Sequence, residues 1–175
     1  MVARDSNMFN GISEYPIPSA LHLSSLRIVG SCNGLVCLAQ YGYGSLIADA
    51  IYLWNPSIRK YRRLPDFSLT QYHWVSTGFA YQSETNDYKV VKITKMGAQN
   101  HHGVEVYTLS SNSWRRVEMS LGNNVAFNSG NCWPATFVNK ALHWLGEVKG
   151  GVQLANRDLI LSFGVNNDIW RDSTP

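Results

Sequence analysis

The fold is decided by residues 51–64, Ile51-Tyr52-Leu53-Trp54-Asn55-Pro56-Ser57-Ile58-Arg59-Lys60-Tyr61-Arg62-Arg63-Leu64. Ile51 to Trp54 is a run of strand-forming residues. Asn55-Pro56-Ser57 favours a turn, because proline fixes φ and the asparagine side chain can bond nearby backbone. Tyr61 to Leu64 returns as a second strand in which basic residues follow the aromatic one. The stretch therefore predicts a β-hairpin.

The same layout recurs at residues 104–117 and, more loosely, at residues 161–171. In each copy an aromatic residue is followed seven positions later by a second aromatic residue and then by arginine. The three pairs are Trp54/Tyr61, Tyr107/Trp114 and Phe163/Trp170. The copies begin 53 (107 − 54) and 56 (163 − 107) residues apart. A period near 50 residues with one hairpin per unit is typical of propeller blades, and the kelch repeat is nearest in length.

Each unit also contains a preceding hairpin. Asn33-Gly34 lies between two apolar runs, which is the strongest short hairpin signal in the chain. Helical periodicity is nearly absent. The sequence thus predicts an all-β fold of antiparallel four-stranded blades, a partial kelch-like β-propeller with about three units. Because closed propellers have four to eight blades, we expect a truncated or partial product, or a chain that pairs with another chain.

Composition narrows the class of protein. The 175 residues are 45% hydrophobic and 15% charged, which suits a packed domain rather than a disordered chain. The net charge of +3 gives no reason to expect a nucleic-acid or membrane partner. The sequence shows no apolar N-terminal leader and no run of 18 apolar residues. We expect an intracellular protein, cytoplasmic or nuclear, with residues 1–27 as an irregular N-terminal segment and residues 28–175 as the β domain.

The candidate catalytic and metal-binding residues favour structural roles. Cys32, Cys37, Cys132 and His143 match no zinc-site spacing, and three cysteines do not form a disulfide framework. Nothing in the sequence places a histidine beside Cys37, and no strained nucleophile turn is present. We therefore expect no catalytic residue, no metal, no cofactor and no enzymatic activity.

Two polar features have simple explanations. The basic run of Arg59, Lys60, Arg62 and Arg63 could bind phosphates or bases, but it recurs after the aromatic residue of each copy. That recurrence favours the outward face of a strand, with the paired aromatic residues in the core. His101-His102 is expected in a solvated loop.

Four motifs occur in fixed order, and together they resemble a known family. They are Ser31-Cys32-Asn33-Gly34-Leu35-Val36-Cys37-Leu38, residues 54–65 (Trp-Asn-Pro-Ser to Leu-Pro), residues 78–91 (Gly-Phe-x-Tyr to Asp-Tyr-Lys-Val-Val) and residues 104–114. The set resembles the F-box-associated domain of plant F-box proteins, in the S-locus F-box-like and kelch-like branch. The resemblance covers residues 28–146 most closely.

The resemblance implies a protein-binding role. In that family an F-box docks on the Skp adaptor of a cullin-based SCF ubiquitin ligase, and the associated domain recruits the target for ubiquitination. The S-locus branch would imply pollen-rejection ribonucleases as targets, a self-incompatibility function. We find no F-box before residue 28, so the Skp adaptor and cullin are expected as partners only if an F-box lies upstream.

Two alternatives remain beside the substrate receptor. The chain is an orphan fragment that cannot dock on the ligase, and so acts as a decoy or has no function. Alternatively, it is a propeller that binds glycans or carries an enzyme site, because fold does not fix function.

The candidate binding site lies in loops. We expect residues 40–48, 66–77, 95–103 and 121–134 to present the target-binding surface. The predicted partner-binding residues are the aromatic ones, Tyr41, Tyr43, Tyr72 and Trp74. A further departure concerns Asn139-Lys140, which stands where the family has Asn-Gly. Lysine is poorly suited to positive φ, so we expect a longer turn or another turn type there.

Overall fold

A computed structural model describes residues 17–19, 25–41, 48–67, 75–96, 101–119, 124–127, 134–150 and 155–173. These residues form 13 strands. The strands are β1 (Ser25–Cys32), β2 (Leu35–Tyr41), β3 (Ala48–Asn55), β4 (Lys60–Arg63), β5 (Val75–Gln82), β6 (Asp87–Met96), β7 (His101–Thr108), β8 (Ser113–Val117), β9 (Val125–Phe127), β10 (Thr136–Val138), β11 (Ala141–Val148), β12 (Arg157–Gly164) and β13 (Ile169–Ser173).

The strands form three antiparallel sheets in sequence order, which we call blades. Blade 1 contains β1 to β4, blade 2 contains β5 to β8, and blade 3 contains β10 to β13. In blade 3 the inner position is shared, because β10 pairs with one half of β11 and β9 pairs with the other half. The predicted fold class, four-stranded antiparallel blades in a partial propeller, is confirmed.

The repeated aromatic residues pair across their hairpins, as the sequence predicts. Trp54 lies opposite Tyr61, Tyr107 opposite Trp114, and Phe163 opposite Trp170. The rings of the second and third pairs are 5.4 and 5.0 Å apart between centroids. Tyr107 packs in the core shared with blade 1, and Phe163 in the core shared with blade 2. Each of these two pairs therefore faces the preceding blade rather than the following one.

The hydrophobic core lies between the blades. The junction of blades 1 and 2 buries Val29, Cys37, Ala39, Tyr41, Ile51, Leu53, Leu64, Phe67, Phe79, Val90 and Tyr107. The junction of blades 2 and 3 buries Ala80, Val91, Ile93, Val104, Val106, Val125, Phe127, Ala135, Leu142, Trp144, Leu159, Leu161, Phe163, Val165 and Trp170. Alternation along each strand sends one set of side chains to each neighbouring blade, so blade 2 contributes to both cores.

Blade 3 approaches blade 2 closely at Gly78. A Cβ atom at this position would lie 2.8 Å from the Leu142 side chain and 2.9 Å from the Ala135 and Trp144 side chains. The Ala135 amide also donates to the Thr77 carbonyl at 3.0 Å, which links the inner strands of the two blades. Glycine is required here because no side chain fits between the two sheets.

Three predictions about local structure are wrong. β9 lies within residues 121–134, which we expected to be loop throughout, and His101 and His102 belong to β7. Asn139-Lys140 forms the same two-residue turn as Asn33-Gly34, since Val138 pairs directly with Ala141. Both residues adopt positive φ, 49° and 63°, so the lysine accepts the left-handed conformation.

Candidate interaction site

The connections between strands separate into two groups at opposite ends of the blades. Successive strands of an antiparallel meander are joined at alternate ends. At one end, which we call the turn end, six connections contain only two or four residues each. They are residues 33–34, 56–59, 83–86, 109–112, 139–140 and 165–168. At the other end, which we call the loop end, lie the strand ends that flank residues 42–47, 68–74, 97–100, 120–123 and 151–154.

The turn end is built from short turns whose last residue is left-handed. Arg59, Asn86, Asn112 and Asp168 each close a four-residue connection with φ between 48° and 56°. Asparagine and aspartate tolerate this conformation better than most residues, and three of the four positions use them. These connections leave little freedom for variation in length or shape. The turn end is therefore a poor place for an adaptable recognition surface.

The loop end coincides with the four predicted binding loops, with corrected bounds. β2 ends at Tyr41 and β3 begins at Ala48, while β5 begins at Val75. β6 ends at Met96 and β7 begins at His101. All four connections therefore join strands at the same end of the blades. That common location is what a single surface made from several connections requires.

Of the four predicted contact residues, the structure describes only Tyr41. Tyr41 is 5% exposed, and the Arg27 guanidinium lies 4.8 Å from the centre of its ring. The expectation of an exposed ring at position 41 is therefore wrong, because this side chain packs in the core between blades 1 and 2. Tyr43, Tyr72 and Trp74 lie outside the described residues.

A buried ion pair lies midway along blade 2, on the face that meets blade 1. Lys92 and Glu105 are cross-strand partners, and the lysine Nζ lies 3.8 Å from the Glu105 carboxylate. Lys92 is fully buried, and its Nζ is 3.1 Å from the centre of the Phe67 ring. Burial lowers the pKa of the Lys92 ammonium to about 8, while the Glu105 carboxylate acts in the opposite direction.

Sequence reasoning missed this pair. Lys92 looks like a solvent-facing residue in the alternating run Tyr88-Lys89-Val90-Val91-Lys92-Ile93. Its true environment follows only from the pairing register, which places it opposite Glu105, and from the position of Phe67 in the neighbouring blade.

The described cysteines are not activated nucleophiles. Cys37 is fully buried, and Cys32 is half-buried. Burial raises the pKa of the Cys32 thiol to about 11, and burial together with Cys32 raises the pKa of the Cys37 thiol well above its ordinary value. Protonated thiols of this kind are weak nucleophiles and weak metal ligands. Among the described residues, no group of three or more histidine, cysteine or acidic side chains could hold a metal ion.

The basic run does not form a phosphate-binding cluster by its contacts. Arg63 pairs with Asp66 at 2.6 Å. The Arg62 guanidinium lies close enough to Tyr107 of blade 2 to oppose the rise in the tyrosine pKa that burial causes. This position beside the neighbouring blade agrees with a structural role.

No helix long and apolar enough to cross a membrane is found in the part of the chain that the structure describes.

Comparison with known proteins agrees with this architecture. The sequence profile of the "F-box associated beta propeller domain" matches residues 6–175. The F-box/kelch-repeat protein At3g23880 of Arabidopsis thaliana is 30% identical over 83% of this chain and 38% of its own length. The F-box protein At5g49610 of the same plant is 26% identical over 92% of this chain and 44% of its own length. The chain thus spans less than half the length of these two relatives.

Proposed function

The chain belongs to the F-box associated beta propeller domain family, and from this premise we propose that it is the target-recognition part of an F-box protein. In this proposal it binds a protein destined for ubiquitination through its loop end. The observation that carries the proposal is the separation of the connections. Each connection at the turn end has two or four residues. At the loop end the connections from β2 to β3, β4 to β5, β8 to β9 and β11 to β12 are longer, and the connection from β6 to β7 has four residues.

The physical reason is the division between scaffold and recognition surface. Paired strands and packed blade junctions fix the positions at which the connections begin and end, so sequence can vary there without loss of the core. Tyr43, Tyr72 and Trp74 would supply the aromatic contacts that dominate many protein interfaces. Tyr41 would contribute indirectly, because its buried ring packs at the end of β2, from which residues 42–47 continue.

A matched pair of variants tests this proposal. A triple variant, Tyr43→Ser/Tyr72→Ser/Trp74→Ser, changes the loop end, while Ile58→Ser changes an exposed aliphatic side chain in a turn. Both would be used as baits in plant extract, with bound proteins quantified by mass spectrometry against wild type. We expect the same proteins to be bound by wild type and Ile58→Ser and to be lost from the triple variant. Equal loss from both variants, or loss from Ile58→Ser alone, would contradict the loop-end assignment.

The delivery of a target to the ligase is a separate step. Docking on the Skp adaptor would be a property of an F-box, whereas target binding is a property of this domain. Co-purification of this chain with the adaptor therefore separates the receptor from the decoy. A chain that binds its target and not the adaptor would compete with complete receptors. The self-incompatibility role is tested by using a pollen-rejection ribonuclease as the prey.

A glycan-binding function is distinguished by a thermal-shift screen with oligosaccharides. We expect no rise in melting temperature. A saturable rise with one oligosaccharide would replace the protein-recognition proposal with the third alternative.

A further inference from the structure

The net positive charge of the chain is concentrated in one short segment. Residues 59–66 contain four basic residues and one acidic residue, a formal charge of +3 (4 − 1). The whole chain has 15 basic and 12 acidic residues, and therefore the same charge of +3. All other residues together are neutral, with 11 basic (15 − 4) and 11 acidic (12 − 1) side chains. An acidic partner is therefore attracted chiefly to this segment.

The segment includes β4, the outermost strand of blade 1. The sheet order is β1-β2-β3-β4, and the inner strand of blade 2, β5, contacts both β1 and β10. The first strands of the three blades therefore lie together near the centre, and β4 lies at the rim. Neighbouring blades of a propeller cover the faces of a blade rather than its outer edge. The outer edge of β4 thus stays uncovered by blades, however many of them complete the ring.

This edge offers unpaired backbone groups. Among the described residues, β4 pairs with β3 alone. The Leu64 amide donates to the Ile51 carbonyl at 2.8 Å, so the backbone groups of Leu64 point toward β3. Because these groups alternate in direction along an antiparallel strand, those of Tyr61 and Arg63 point to the outer edge. Such an edge can pair with one further extended strand.

The side chains along the edge are exposed, and part of their charge is uncompensated. All four residues of β4 are exposed, as is Arg59 in the preceding turn. Arg63 pairs with Asp66, and Arg62 lies beside blade 2. Arg59 and Lys60 form no ion pair and no side-chain hydrogen bond with any residue that the structure describes. These two cations therefore lack an acidic partner within that part of the chain.

The outer strands of the other blades carry less charge. The matching segments of blades 2 and 3, residues 112–119 and 168–175, have side-chain charges of +1 (2 − 1) and −1 (1 − 2). Arg115 of blade 2 is bound to the Asp168 carboxylate. Basic residues on an edge strand commonly prevent unwanted pairing, and the other two outer strands carry one or two of them. The four basic residues at β4 exceed that number, which indicates a further role.

The arrangement of these charges favours an extended acidic polypeptide. Residues 59–63 span about 13 Å at strand spacing, and side chains along a strand alternate between the two faces of the sheet. A single phosphate group cannot reach charges arranged in this way. Acidic residues on an added strand alternate in the same manner, so they can meet basic side chains on both faces.

Two other occupants fit the edge less well. Single-stranded nucleic acid binds best where its bases stack on exposed rings. The ring of Tyr61 instead packs edge-on against Tyr52, with the centroids 6.2 Å apart. A second copy of this chain that paired through its own β4 would bring like charges together. The charges therefore favour a different polypeptide.

We propose that the outer edge of β4 docks an extended acidic segment of another protein, which adds to blade 1 as a fifth strand. Its backbone pairs with Tyr61 and Arg63. Its aspartate or glutamate side chains face the cations Arg59, Lys60 and Arg62. This docking is independent of target recognition at the loop end, because the edge lies on the rim of the propeller.

An NMR titration of the isotope-labelled chain tests the proposal at about 0.15 M salt, where distant charges are screened. The probe is the peptide acetyl-Thr-Glu-Val-Glu-Asp-Val-Thr-amide. A neutral peptide with glutamine and asparagine in place of the acidic residues is the control for charge. The acidic peptide with methylated backbone nitrogens is the control for strand pairing, because it keeps the charge and loses the donors.

We expect saturable binding of the acidic peptide, with slower hydrogen exchange at the Tyr61 and Arg63 amides. Both control peptides should bind at least about fivefold more weakly, because each keeps only one of the two kinds of contact. A neutral peptide that binds as tightly as the acidic one would show that charge is not recognised. A methylated peptide that binds as tightly would show charge attraction without an added strand.

A matched pair of variants locates the site. Arg59→Gln/Lys60→Gln should weaken binding of the acidic peptide about fivefold, as for the loss of two cross-strand charge pairs. Lys149→Gln/Arg157→Gln removes the same charge from exposed positions at the loop end of blade 3 and should leave the affinity unchanged. Equal losses in the two variants would contradict the assignment to β4. Unchanged melting temperatures would show that both variants remain folded.

Three further results would overturn the proposal. Absence of acidic-peptide binding would mean that the basic residues only protect the edge from pairing. Tighter binding of an oligouridylate than of the acidic peptide would mean a nucleic-acid surface. Slower exchange of the same two amides with rising protein concentration alone would mean that a second copy pairs with the edge.

Discussion

The two blade junctions have similar aromatic cores but place their ion pairs differently. Each junction buries four aromatic rings. At the junction of blades 2 and 3, the ion pair joins Lys89 of blade 2 to Asp168 of blade 3. At the junction of blades 1 and 2, the Lys92–Glu105 pair lies within blade 2 and packs against Phe67. The repeat therefore fixes where side chains point, while the neighbouring blade determines which groups a charged side chain meets.

Replacing the buried Trp170 of the aromatic pairs should lower stability at least as much as any other substitution considered below. Trp170→Ala should lower the free energy of unfolding by about 3–5 kcal/mol, because a 5% exposed ring is lost from a packed core. Trp114→Ala should cost about 2 kcal/mol, since this ring is only half-buried, although its Nε1 donates to the Pro65 carbonyl at 2.7 Å. Urea denaturation of the two variants measures the difference. Equal losses would mean that the junctions are equivalent.

The buried ion pair predicts a pH dependence confined to the junction of blades 1 and 2. The pKa of Lys92 is about 8 in the folded chain, below its ordinary value of 10.5. The unfolded chain binds the proton more strongly, so this group makes the protein more stable as pH rises from about 8 toward 10.5. We expect that rise in wild type relative to Lys92→Met, which lacks the group. Parallel stability curves for the two proteins between pH 7 and 9.5 would contradict the burial of a titrating lysine.

Removing one partner of the pair should be worse than removing both. Lys92→Met alone removes the positive charge beside the buried Glu105 carboxylate and should cost about 3–5 kcal/mol. The double variant Lys92→Met/Glu105→Leu should recover most of that loss, because neither charge then remains in the core. A double variant less stable than the single one would show that the pair itself stabilises the junction.

Alanine substitutions at two glycines measure how closely the blades pack at the two junctions. Gly78→Ala should cost about 1–3 kcal/mol, because the new Cβ would lie within 2.9 Å of three side chains of blade 3. Gly30→Ala is the matched control in the other junction, where the nearest atom is the Phe79 Cβ at 3.5 Å. That substitution should be neutral or slightly stabilising. Thermal denaturation of both variants ranks them, and the reverse order would contradict the described packing.

Substitutions in the two-residue turns should change the stability of the chain least. Lys140→Gly should stabilise the chain by about 0.5–1 kcal/mol. Glycine adopts positive φ without strain, and this relief outweighs the extra conformational freedom that glycine has in the unfolded chain. Gly34→Lys makes the opposite change in blade 1, at φ 81°, and should destabilise. Calorimetric melting measures whether Lys140→Gly raises the melting temperature and Gly34→Lys lowers it. A destabilised Lys140→Gly would mean that the lysine side chain contributes more to folding than its exposed position indicates.

Local sequence was sufficient to predict the blades. Asn33-Gly34 and the Asn-Pro-Ser turn fix register within a few residues, and the seven-residue spacing of the aromatic pairs marks equivalent strands. β9 was missed because three residues, Val125–Phe127, in an Asn-rich stretch give no periodic signal. The turn at Lys140 was missed because the pairing of β10 with β11 overrides the residue's own backbone preference.

The site was predictable only in part. The connections that we expected to bind a partner do begin and end on one side of the blades, because an antiparallel meander requires it. The burial of Tyr41 depends on the neighbouring blade and on Arg27, so it could not be read from the order of residues. The charge of residues 59–66 is plain in the sequence, whereas the position of β4 at the rim of the propeller follows only from the sheet order.

Hydrogen exchange of the chain, alone and bound to a protein that it captures, tests the loop-end assignment most directly. We predict that amide protection on binding appears in peptides that contain residues 42–47, 68–74 and 97–100, at the loop end. Peptides that contain residues 56–59, 83–86 and 109–112, at the turn end, should exchange as in the free chain. Protection confined to the turn-end peptides would contradict the assignment of the loop end as the recognition surface.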